Sequence, residues 1–97
     1  MKISLSPIRM DADLTVERSD DTITLNGEAF DFSVLPEGAT LPRDAIASAW
    51  FAGDVRRDDA GVLHIPLVLP ISASSSDAAR FPAVLSIDAN GPIALPE

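Results

Sequence analysis

Thr22-Ile23-Thr24-Leu25-Asn26-Gly27-Glu28-Ala29-Phe30-Asp31-Phe32 decides the fold class of this chain. Two runs in which every second residue is apolar, Ile23/Leu25 and Phe30/Phe32, flank an Asn-Gly pair. Alternation with a period of two marks a strand with one buried face. Asn26 and Gly27 both tolerate the positive φ that a type I′ turn requires, so the chain reverses there into a β-hairpin.

Upstream, Leu14 and Val16 alternate with Thr15 and Glu17, and Ser19-Asp20-Asp21 supplies a turn. The result is a three-stranded meander. Leu14, Val16, Ile23, Leu25, Phe30 and Phe32 form its apolar face, and Thr15, Glu17, Thr22, Thr24 and Asp31 its polar one. Such one-sided patterning suits an antiparallel sheet packed on a core from one side. Before it, Ile3 and Leu5 read as a short first strand that Pro7 ends, because proline cannot donate to a ladder.

Downstream, residues 34–42 contain Pro36, Gly38 and Pro42 and read as a loop, and Pro42 can open one helical turn over residues 41–47. Residues 50–57 and 62–69 read as a second hairpin around Asp58-Asp59-Ala60-Gly61. Leu63, Ile65, Leu67 and Leu69 share one face; Val62, His64, Pro66 and Val68 share the other. Pro66 within that run implies an edge strand or a bulge. The Ser-rich residues 71–80 read as a flexible loop, residues 84–89 as a last strand, and residues 91–97 as an extended C-terminal tail. The expected fold is one all-β domain over residues 1–97. It has six or seven short antiparallel strands in a small sandwich or partly open barrel, with at most one short helical turn.

With 97 residues, 46% hydrophobic content and a mean hydropathy of +0.20, the chain can build one modest core and is not compositionally disordered. Fifteen acidic residues against seven basic ones give a net charge of −8. A surface of this sign disfavours nucleic acid and anionic membranes as partners. The charge serves solubility; a DNA-mimicking surface would need carboxylate rows that Arg18, Arg43, Arg56, Arg57 and Arg80 interrupt. No apolar run is long enough for a membrane helix, and the N-terminus lacks the apolar core of a secretory signal, so the expected location is the cytoplasm.

Chemical equipment is sparse. The absence of cysteine excludes disulfides, thiolate zinc sites and thiol catalysis. His64 is the single histidine, flanked by Leu63 and Ile65, and no Gly-x-Ser-x-Gly elbow accompanies it. The five glycines stand singly, so no phosphate-cradling loop is present. Asp11-Ala12-Asp13, Asp20-Asp21 and Asp58-Asp59 could offer oxygens to calcium but lack the frame of a calcium loop. The expectation is a non-enzymatic protein with no catalytic residue, metal or cofactor. Trp50-Phe51 places two large aromatics on opposite sides of a strand: one joins the core, and the other lies under the 34–42 loop or in an intersubunit contact.

Residues 1–11, 24–33 and 35–42, Trp50-Phe51, Leu67-Val68-Leu69-Pro70, Phe81-Pro82 and residues 91–96 stand out together. In these stretches the chain resembles a family of small acidic proteins encoded in the late, tail-encoding region of phages and prophages of GC-rich proteobacteria. The resemblance implies phage morphogenesis as the setting, with the virion as a second expected location, and it supplies no catalytic site. The leading functional expectation is a tail-associated structural or assembly protein acting through a protein partner or self-association. Its candidate contact residues are Trp50, His64, Pro66, Val68, Ile93 and Leu95, from the proline-marked strand and the apolar tail. The alternative is a small-ligand or carbohydrate-binding module that uses the 72–77 loop or the face around His64.

Overall fold

A computed structural model describes residues 1–96. Among them run nine strands: β1 (Lys2–Arg9), β2 (Val16–Ser19), β3 (Thr22–Leu25), β4 (Glu28–Asp31), β5 (Thr40–Leu41), β6 (Val55–Arg57), β7 (Leu63–Ile71), β8 (Leu85–Ser86) and β9 (Gly91–Ile93). A 3-10 turn covers Arg43–Ala45, directly after Pro42, and a single helical turn, α1, covers Asp77–Arg80. The strands form two sheets, of order β5-β6-β7-β1-β8 and β4-β3-β2-β9, and one hydrophobic cluster draws on both. The architecture is a small open β-sandwich that does not close into a barrel. It has more strands than the six or seven expected because two short ones, β5 and β9, form within the expected 34–42 loop and C-terminal tail.

The second sheet follows the local pattern closely. β3 and β4 pair antiparallel, with Leu25 opposite Glu28 across the two-residue turn. Asn26 and Gly27 adopt φ of 50° and 85°, the left-handed pair of a type I′ turn. β2 joins β3 through Asp20, which also takes a positive φ, and begins two residues later than the alternation from Leu14 implies. β9 adds to the outer side of β2, with Ile93 opposite Val16.

The first sheet departs from expectation at its centre. β1 and β7 run parallel, from Lys2 opposite His64 to Arg9 opposite Ile71. A parallel pair needs a long crossover, and the whole β2–β4 meander lies within it. β1 also continues through Pro7, which does not end it. The Met10 amide donates to the Ile71 carbonyl at 3.2 Å, so alternate residues back along β1 face β7 and Pro7 faces the other way. On that side β8 pairs only with Lys2 and Ile3. The missing N–H of Pro7 therefore removes no ladder bond.

Pro66 is likewise in a central strand and not at an edge. The Val68 amide donates to the Trp50 carbonyl at 2.8 Å, and the Ala52 amide to the Pro66 carbonyl at 3.0 Å. Pro66 thus faces the 50–57 segment, where the register breaks: Phe51 lies opposite Leu67 and Arg56 opposite His64. Five steps on one strand match three on the other, so two extra residues bulge out across from Pro66. The bulge, which is the second reading of Pro66, relieves the need for a proline N–H.

Phe51 sits at the middle of the sandwich, fully buried. Its ring meets Phe30 at 5.0 Å and Phe32 at 5.9 Å between centroids, both edge-on, and so couples the two sheets. Trp50, its neighbour, is half-buried.

Candidate functional site

Residues from both sheets line an open groove of about 910 Å³. Its walls are the connector from β1 into β2, the end of β7 with the serines that follow, and the chain leaving β9. Val16 and Leu69 are buried in its floor, while Leu14, Ile71, Ile93 and Leu95 are half-buried around it. All four pack against the edge of the core cluster.

Local hydrogen bonding fixes both walls. Asn26 Nδ2 donates to the Asp13 carbonyl at 3.0 Å, its Oδ1 accepts from the Thr15 amide at 2.7 Å, and its own amide donates to the Thr15 carbonyl at 3.0 Å. The residue that shapes the hairpin turn also anchors the connector. Across the groove, Arg80 holds the serine segment: Nη2 donates to the Ala73 carbonyl at 2.6 Å and Nε to the Ser75 carbonyl at 3.1 Å. The Ser72 amide donates to Ser75 Oγ at 2.8 Å, and the Ser72 and Ser74 hydroxyls lie 3.1 Å apart. α1 closes this segment and buries Ala79 in the core.

The groove carries charge of one sign. Asp11 and Asp13 belong to its lining, which holds no Lys, Arg or His; Glu17 also borders it, but by alternation with the buried Val16 its side chain is on the outer face of the second sheet. Among the described residues none of the three carboxylates has an ion-pair or hydrogen-bond partner. Half-buried apolar side chains, carboxylates and serines thus share one open groove.

The six candidate contact residues fall into two groups. Ile93 and Leu95 line the groove. His64, Pro66 and Val68 occupy the alternate positions of β7, opposite in facing to the buried Leu63, Ile65 and Leu67, and so lie on the outer face of the first sheet. Trp50 lies alongside, its carbonyl bound by the Val68 amide. Val68 is itself buried, whereas His64 and Pro66 are half-buried.

His64 Nε2 lies 2.9 Å from Asp58 Oδ2. Asp58 Oδ1 accepts from the amides of Ala60 and Val62, at 2.9 and 3.0 Å, and so shapes the turn between β6 and β7. The His64 bond first, and then the Val62 amide, hold the Asp58 carboxyl down at about 2. This pair locks a hairpin turn. Among the described residues no group of three or more His, Cys, Asp or Glu side chains is placed to hold a metal, and no helix is long and apolar enough to cross a membrane.

The acidic margin of the groove escapes sequence reasoning, which weighs Asp11 and Asp13 only as calcium donors. Glu17 and Pro92 become neighbours through the β2–β9 pairing, a contact across 75 positions that leaves no local signature. Comparison of the chain with protein-family models, curated proteins and solved structures returns no match.

Proposed function

We propose that this is a non-enzymatic protein of a phage or prophage tail, a structural component or assembly factor that works through protein–protein contacts. One observation supports the interaction role most: the groove keeps Leu14, Ile71, Ile93 and Leu95 half-buried beside unpartnered carboxylates. Apolar surface of this kind is more stable once a partner removes it from water. The resemblance to small acidic tail-region proteins supports the setting. The test is mass spectrometry of particles purified after induction of the prophages in the source strain. Peptides from this chain in fixed ratio to tail proteins, with Leu95→Asp lowering particle yield, are the expected result. Particles that form in normal number without the chain would rule the role out.

A second reading, a small-ligand or carbohydrate-binding module, draws on the size of the groove, within the roughly 300–1,000 Å³ usual for ligand pockets. The lining has no aromatic ring on which a sugar could stack. A thermal-shift screen with glycans separates the two, since a tight ligand raises the melting temperature by mass action.

A further inference from the structure

Resting on the interaction reading, we infer that the groove receives a short segment of a partner protein that carries both basic and aliphatic side chains. The aliphatic groups would cover Leu14, Ile93 and Leu95, and the basic ones would meet Asp11 and Asp13. Charge complementarity selects this occupant. A purely apolar segment would strip water from two carboxylates and return nothing to them. An acidic segment would meet charge of its own sign at every point of the margin. Lys or Arg side chains suit both surfaces, because their aliphatic stems lie along apolar walls while the charged ends reach the carboxylates. The protein itself provides no such group there: Arg9 ends β1 beside Ile71 by register but stands outside the lining, and Arg18 is engaged with the carbonyls of Asp20 and Ile87. On the facing wall the Ser72, Ser74 and Ser75 hydroxyls are engaged with one another or with local backbone, which leaves the carboxylates as the dominant polar feature.

The experiment uses the full chain and a fluorescein-labelled peptide, acetyl-Lys-Leu-Lys-Val-Lys-Leu-amide, followed by fluorescence anisotropy. Binding is expected at low salt and should weaken as salt screens the exposed charges. The double variant Asp11→Asn, Asp13→Asn should bind about fivefold more weakly, the sum of two modest surface pairs. Its melting temperature should match the parent's, because these carboxylates have no partners to lose. Leu95→Ser should also weaken binding, and a peptide with Glu in place of Lys should not bind. Equal affinity for the double variant, or for a peptide with Ser in place of Lys, overturns the inference, as does absence of binding by the basic peptide. In any of these cases a Leu95-dependent place in tail particles would still uphold the broader interaction role.

Discussion

Arg57, on β6, reaches across the sandwich to Asp21 in the turn between β2 and β3, with Nη2 3.3 Å from Oδ2. The same guanidinium donates to the carbonyls of Leu35 at 2.6 Å, Phe32 at 3.0 Å and Gly61 at 3.0 Å. One side chain, only 12% exposed, ties both sheets and two loops together.

The carbonyls matter more here than the ion pair. Arg57→Ala leaves three backbone acceptors without their donor and should lower stability by about 2–4 kcal/mol. Asp21→Asn should change it by no more than about 1 kcal/mol, since the aspartate is substantially exposed and its bond is long. Urea unfolding of the two variants checks the difference; equal losses would mean that the charge pair carries the link.

Phe51 is the packing centre, and its truncation tests the sandwich directly. Phe51→Ala should cost about 3–5 kcal/mol, at the high end because two edge-on ring contacts go with it. Phe32→Ala should follow closely, and Phe30→Ala should be milder because Phe30 is only half-buried. Thermal melting of the three single variants gives the order.

The Asp58–His64 pair makes a prediction about acid. Asp58 titrates at about 2 in the folded protein against 3.8 ordinarily. A carboxyl depressed by folding contributes stability that is fully present above 3.8 and is lost as the pH falls from there through about 2. Asp58→Asn should therefore flatten the stability curve across that window, and His64→Gln should bring the Asp58 carboxyl back up toward its ordinary range. Carboxyl-carbon NMR titration reads both; an Asp58 midpoint unmoved by His64→Gln would assign the shift to the backbone amides alone.

Pro7 faces the free side of β1, beyond the reach of β8. Pro7→Val should leave the melting temperature nearly unchanged, because no ladder bond is gained or lost within the chain. It should nevertheless promote self-association, since an unblocked edge strand offers a template for another chain. Light scattering against concentration distinguishes the variant from the parent; identical curves would show that the edge is protected by something other than the proline.

The hairpin around Asn26-Gly27, the turn at Asp58–Gly61 and the inward sets Ile23/Leu25 and Leu63/Ile65/Leu67 were all legible in the sequence, because each depends on neighbours a few residues apart. Pro7 and Pro66 were not. What a proline does to a strand depends on which neighbour its nitrogen faces, and that follows from pairings with distant segments. The groove was half legible: Ile93 and Leu95 stood out as an apolar tail, but Asp11 and Asp13 share their groove only through the register of Val16 with Ile93.

The parallel union of β1 with β7 also sets an order of assembly. Lys2 meets His64 across 62 positions, whereas the β2–β3–β4 meander closes within residues 16–31. Closing the longer loop loses more chain entropy before any contact rewards it. The meander can therefore form while the ribosome is still making the rest, and β1, which precedes it, must wait until β7 has been made. Folding of this domain is gated by that distant pairing, and it should be slow for its size, as is usual where distant pairings dominate.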